Sequence, residues 1–414
     1  MKDLASPSIP RPVEIRRRDL LGAGALGAAS LLVPGSAGAS ASEPRVRRYV
    51  PLGKTGLEIS DISFGSSRMR DPKAVRHAYE RGVNYFDSAE GYKGGDSETA
   101  IGEALHDVRD KVFITSKTKG GADDTRQVLM EALEGSLKRL RTDHVDVYFN
   151  HAVNDTARVA NPEWAEFTEL AKKQGKIRFR GLSGHAGRLV ECIEYGLDNE
   201  LLDVILAAYN FGQDPAFYQK FLTTFDFIAL QPGLPKVLER AHAEGVGVVA
   251  MKTLMGARAN DMRPYERDGG TFAQAAFRWV LSNPNVDALV ISMNDAELID
   301  EYLGASGTSK LSRNDLELLG RYADRNGAGY CQHACGVCEG SCPAAVPISE
   351  VLRTRMYASD YGDLALARED YGKLGRDASA CLSCDGSPCA GACPNGIDIS
   401  HRARETHRLL GRLG

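Results

Sequence analysis

The chain has 414 residues, more than one ordinary core accommodates. Its 51 basic and 55 acidic side chains leave a net charge of −4 and a pI near 6.2, and no basic stripe with interleaved aromatics occurs, which argues against nucleic acid as a partner. No apolar run of membrane-spanning length follows the N-terminal segment, and eight of the nine cysteines fall after residue 330, which marks a separate C-terminal module.

The chain opens with Arg16-Arg17-Arg18-Asp19-Leu20-Leu21 ahead of a weakly apolar segment, Leu20 to Val33, rich in glycine and alanine. Ala37-Gly38-Ala39 and Ala39-Ser40-Ala41 offer cleavage sites. The pattern resembles a twin-arginine export signal, so residues 1–41 are read as an address and kept out of the fold. The expectation is a periplasmic or cell-envelope protein with no membrane span, unless the signal is retained as an anchor.

From residue 42 to about 326, strands and helices alternate regularly, as in a parallel sheet wrapped by helices, and the length suits a (β/α)8 TIM barrel of about 250 residues. Gly53 to Ser60 reads as a hairpin closing the barrel bottom. Asp71-Pro72 opens the first helix as cap and first-turn proline, and Gly82 stops it. Val128, Leu129, Ala132, Leu133, Leu137 and Leu140 form one apolar stripe at helical spacing. Asn161-Pro162 starts another helix that Gly175 ends. Later strands run from Ile177 to Ser183, Val204 to Asn210, Val246 to Lys252 and Asp287 to Ser292. Thr271 with Gln274, and Asn294 with Glu297, have the spacing of capping boxes.

Three early strands end in chemistry. Tyr85-Phe86-Asp87 leads into a loop carrying Tyr92; Val112 to Lys117 ends in lysine; Val145 to His151 ends in histidine. Adjacent parallel strands would bring Asp87, Tyr92, Lys117 and His151 to one rim. Such a set suits carbonyl reduction, because hydride arriving at carbon leaves charge on oxygen that needs a positioned proton donor. A lysine cation beside a tyrosine favours phenolate, an aspartate holds that lysine, and a histidine orients the substrate oxygen.

The runs Arg48 to Leu57, Asn84 to Tyr92, Ile114 to Lys117 and Tyr148 to His151 resemble the aldo-keto reductase family, over about Arg48 to Asn326. The resemblance implies that Tyr92 is the general acid, with Lys117, Asp87 and His151 as partners. It also implies NAD or NADP as hydride carrier, with Ser183, Asn210, Ser292 and Asn294 around it. Here the family pattern breaks. Gly184 and His185 follow Ser183 where an asparagine is usual, and Leu206 stands where a glutamine usually holds the nicotinamide amide. The window Ser292-Met293-Asn294-Asp295-Ala296-Glu297 contains no cation, and its two acids would repel a 2′-phosphate. Backbone amides of the following helix could still bind a pyrophosphate. Lys252 and Arg258, after the seventh strand, are the available substitute cations, but surface solvation is the simpler role for each.

Residues 327–414 hold two similar runs: Cys331, Cys335, Cys338 and Cys342-Pro343, then Cys381, Cys384, Cys389 and Cys393-Pro394. Similar sequence follows both prolines, so an internal duplication is the simple explanation. Each run ends in a cysteine and a proline as bacterial-type ferredoxin runs do, and the module resembles a small helical ferredoxin with two 4Fe-4S clusters. By that resemblance the fourth cysteine serves the opposite cluster: Cys331, Cys335, Cys338 and Cys393 hold one, and Cys381, Cys384, Cys389 and Cys342 the other. Four disulfides or two zinc sites are the alternatives. Cys192 reads as a buried structural thiol.

The leading reading is a reductase or dehydrogenase acting on a small carbonyl or alcohol, its clusters serving electron transfer to a redox partner protein or structure alone. The alternatives are an electron-transfer protein whose barrel docks a partner, and a protein that binds a metabolite without nicotinamide chemistry.

Overall fold

The computed structural model describes residues 43–185, 187–214, 231, 233–255, 262–267, 270–326, 337–359, 364–393 and 396–411. The stretch read as an export signal, Arg258, Cys331 and Cys335 lie outside these residues. Pro44–Gly414 form one compact unit. Within it, β1 (Tyr49–Pro51) and β2 (Glu58–Ser60) pair antiparallel as the bottom hairpin. Eight further strands close a parallel barrel: β3 (Ile62–Gly65), β4 (Tyr85–Asp87), β5 (Phe113–Thr118), β6 (Val145–Asn150), β7 (Ile177–Gly184), β8 (Val204–Ala208), β9 (Gly247–Met251) and β10 (Ala288–Ser292). β10 returns to pair with β3.

Two apolar layers explain the closure. Leu52, Leu57 and Ile59 of the hairpin join Tyr85, Val147, Phe149, Val204, Leu206 and Val249 in a cluster that fills the barrel. A second, larger cluster lies outside it and includes the helix faces, for example Val75, Leu133, Phe167 and Phe277. Strands buried on both faces are near-continuous apolar runs, which is how they read in the sequence. Gly53 takes φ +49° where the hairpin meets β9; a Cβ there would stand 2.4 Å from the Gly247 nitrogen. The approach therefore requires glycine.

Local signals set the helix starts. Asp71 caps the helix Pro72–Glu80 by accepting from the Lys73 amide at 2.9 Å, and Asn161 caps Pro162–Lys173 in the same way. Three expectations are corrected. Val128 is half exposed, because the helix Arg126–Leu140 buries Leu129, Leu133, Ser136, Leu137 and Leu140, and Val128 sits a third of a turn away. Gln274 receives the Thr271 cap but sends its own amide to the Glu301 carbonyl, so the capping box is half made. The cap of the helix Ala296–Leu303 is Asp295, bonded to the Leu298 amide at 2.9 Å, and not Asn294.

After the helix Arg313–Asn326, three helices, Ile348–Ser359, Leu364–Gly372 and Ile399–Leu410, pack on one another. An ion pair among the described residues joins them to the barrel top: Lys119, just beyond β5, meets Glu369 at 2.6 Å. Among the described residues no helix is long and apolar enough to cross a membrane.

Candidate active site and cysteine pocket

β4, β5 and β6 are consecutive in the barrel, and parallel register aligns Asp87 with Thr115, and Lys117 with Phe149. Asp87, Lys117 and His151 therefore stand at the C-terminal rim of three neighbouring strands, the end where barrels of this kind place their chemistry. Tyr92 reaches the rim from the loop after β4. Behind it Lys93, Gly94 and Gly95 take φ of +53°, +69° and +97°, a left-handed turn that glycine eases, and the helix Asp96–Leu105 follows at once.

The centre of the rim is a buried cation. Lys117, fully buried, donates from Nζ to Asp87 Oδ2 at 2.7 Å and to the Ser88 carbonyl at 2.6 Å, and lies 3.5 Å from the Tyr92 hydroxyl. Thr115 Oγ1 donates to the other Asp87 oxygen at 2.9 Å. Burial alone would lower the lysine pKa, but the Asp87 carboxylate and the Tyr92 phenol outweigh it and hold Lys117 above its ordinary value. The ammonium also lies 4.8 Å from the centre of the Tyr92 ring. His151 meets Tyr92 edge-on, with ring centres 5.5 Å apart. Burial, then the charges of Lys117, Lys119, Arg158 and Lys252, push the imidazole well below its ordinary pKa, so it is neutral at pH 7. Its Nδ1 is buried with no hydrogen-bond partner among the described residues.

Several contributors had no readable signal in the sequence. Arg158, on a one-turn helix, donates to the carbonyls of Gly120 (2.7 Å), Ala152 (3.1 Å) and His151 (2.9 Å), and to Asn150 Oδ1 (2.8 Å). It locks the histidine loop while adding positive charge beside it. Thr115 and the Ser88 carbonyl likewise complete the lysine's cage.

The residues expected around a nicotinamide lie at the same rim. Ser183 Oγ accepts from the Ala152 amide at 3.2 Å, so it also shapes the turn after His151. Asn210 is buried, accepts from the Gly212 amide at 3.0 Å and donates to the Lys252 carbonyl at 3.4 Å, clamping two rim loops. Ser292 and Ser67 pair through their hydroxyls at 2.7 Å. Asn294 Oδ1 is buried and has no partner among the described residues. Leu206 belongs to the apolar layer inside the barrel and offers no polar atom.

A second constellation lies in the C-terminal helices. Cys342 from the first run and Cys381, Cys384 and Cys389 from the second line one shared pocket, partly open to solvent. Arg404 and Ser400 of the last helix complete its wall with apolar residues such as Val346 and Pro388. Burial, then the neighbouring thiols, push Cys381 upward in pKa. Cys338 and Cys393 are not in this wall. Cys192 is buried in the helix Leu189–Asp198, and burial pushes its thiol up to about 11. Among the described residues no cysteine is in a disulfide, and no three Cys, His, Asp or Glu groups sit close enough to share one metal ion.

Comparison with known proteins agrees with the barrel. Residues 63–268 match the aldo/keto reductase family. The chain carries an aldo/keto reductase domain. It is 24% identical over 321 residues to L-glyceraldehyde 3-phosphate reductase of Escherichia coli, covering 66% of this chain and 92% of that protein. It is 27% identical over 313 residues to a probable voltage-gated potassium channel subunit beta of Oryza sativa, covering 62% and 90%. Among solved structures, a thermostable aldo-keto reductase in complex with the inhibitor epalrestat is 27% identical, covers 66% of this chain and 98% of its own, and superposes with a TM-score of 0.51. An aldo-keto reductase of Klebsiella pneumoniae in complex with NADPH shares the fold at 23% identity, covering 67% and 95%, also with a TM-score of 0.51. The protein is thus an aldo/keto reductase-type oxidoreductase. The family match ends at residue 268, well before either cysteine run of this reductase.

Proposed function

We propose that the barrel interconverts a small carbonyl compound and its alcohol by hydride transfer with a nicotinamide, and that Tyr92 supplies or takes the proton. The observation that carries this reading is the buried Lys117 ammonium, fixed by Asp87 at 2.7 Å and 3.5 Å from the Tyr92 hydroxyl. In the reducing direction hydride adds to the carbonyl carbon, and the oxygen takes the Tyr92 proton. The resulting phenolate is stabilised by the adjacent ammonium. Neutral His151 hydrogen-bonds the substrate oxygen and orients it. Asn294, with a buried oxygen lacking a partner, is the strongest candidate to meet the cofactor. The NADPH named for the Klebsiella pneumoniae structure supports a nicotinamide cofactor here. The exposed Asp295 and Glu297 argue against a strong preference for the phosphorylated form.

We further propose that the C-terminal module holds four-iron clusters. Support comes from the cavity that Cys342 shares with Cys381, Cys384 and Cys389. A cubane needs thiolates spread around a volume, whereas zinc draws four of them to one point. When bound, a cluster supplies one-electron transfer. Residues 1–41, taken as a twin-arginine signal, fit a protein exported after its cofactors are in place.

One preparation tests both halves. The full chain is purified without oxygen, iron and sulfide are measured, and the protein is titrated with NADH and NADPH by fluorescence. Bound iron and sulfide, with NADH bound within about tenfold of NADPH, are expected. A colourless, iron-free protein removes the clusters. A protein that binds neither nucleotide removes hydride transfer and leaves the metabolite-binding alternative.

A further inference from the structure

We propose that Arg404 sets the charge beside the cluster of Cys342, Cys381, Cys384 and Cys389, tying down the cysteine loop and raising the cluster's reduction potential. The proposal deepens the cluster reading above and rests on it.

Arg404 stands on the helix Ile399–Leu410, with its guanidinium in the wall of the cysteine cavity. Nε donates to the Cys381 carbonyl at 2.8 Å; Nη2 donates to the Cys384 carbonyl at 2.8 Å and to Ser387 Oγ at 3.2 Å. One rigid fork thus spans both ends of the Cys381–Cys384 step and the turn before Cys389, a geometry that a lysine ammonium reproduces poorly. Among the described residues Arg404 has no carboxylate partner. Half-buried at the pocket wall, its charge is available to an anion held between the four thiols. Four thiolates around a four-iron core form such an anion.

The sequence adds an independent sign. Cys342-Pro343 is followed by Ile348-Ser349 and Arg353, and Cys393-Pro394 by Ile399-Ser400 and Arg404, each arginine eleven residues after its cysteine. The duplication therefore carries one arginine per half at the same register.

The electrostatic consequence has a definite sign. Taking one electron from a low-potential donor makes the cluster more negative, so a nearby cation stabilises the reduced form. Removing that cation makes reduction harder.

The test compares the full-length wild type with Arg404→Gln and Arg404→Lys, all purified without oxygen. Iron and sulfide are counted first. Each sample is then titrated with dithionite against mediator dyes and followed by electron paramagnetic resonance. Equal iron is expected in all three, with one reductive step of Arg404→Gln moved to lower potential. The expected change is about tenfold or more in the reduced-to-oxidised ratio at fixed potential, equivalent to about 59 mV for one electron. Arg404→Lys keeps the charge and should stay near wild type. Full iron in Arg404→Gln with no step moved overturns the proposal. If Arg404→Gln assembles too little cluster to titrate, Arg404→Lys decides: full iron and an unmoved step support the proposal, and a lowered step despite the retained charge overturns it. An iron-free wild type removes the underlying cluster reading instead, and that is seen before any variant is titrated.

Discussion

Replacing Tyr92 with phenylalanine lowers turnover of any aldehyde substrate by about two to four orders of magnitude, the usual worth of a positioned proton donor. The effect should fall on kcat, with nicotinamide affinity and the thermal unfolding midpoint close to wild type. The reason is geometric. Phenylalanine keeps the ring that packs edge-on against His151 and lies beneath the Lys117 ammonium, and loses only the hydroxyl. Lys117 still has Asp87 and the Ser88 carbonyl, so no buried charge is orphaned. Steady-state kinetics beside a melting curve checks this, and unchanged turnover would remove Tyr92 from the chemistry.

Replacing Lys117 with methionine does more damage of a different kind. It abolishes turnover and also destabilises the fold by about 3–5 kcal/mol, because the buried Asp87 carboxylate loses its counterion. Adding Asp87→Asn to Lys117→Met should recover much of the stability, since neither partner then leaves an unpaired charge, but none of the activity. Denaturant unfolding of the single and double variants separates the two effects. The pH dependence has a fixed sign. The lysine pKa is raised in the folded protein, so the pair contributes fully below the ordinary value of 10.5 and fades as the pH climbs from there through the raised one. Neutral and mildly alkaline solutions should therefore show no loss from this group.

The barrel was legible because each strand is a short apolar run closed by a polar residue. Asp87, Lys117 and His151 end three consecutive runs, and parallel pairing of neighbours does the rest. Tyr92 could be placed for the same reason, being a few residues past a strand end. Arg158 could not, because a guanidinium that holds four backbone or amide oxygens leaves no spacing pattern behind. The shift of the last cap from Asn294 to Asp295 has a related cause. Both residues cap well, and only the inward turn of the Asn294 side chain decides between them. Spacing gave the two cysteine runs but not the wall they share with Arg404, which belongs to a helix 20 residues beyond Cys384.

The most direct measurement follows the hydride itself. The wild-type protein is incubated with an activated aromatic aldehyde and with NADH or NADPH carrying deuterium at both C4 positions, and the alcohol is read by mass spectrometry. One deuterium on the carbinol carbon is predicted with at least one of the two cofactors, together with a solvent-derived proton on oxygen. Alcohol that carries no deuterium, or no alcohol with either cofactor across a panel of aldehydes and ketones, would contradict hydride transfer at this rim.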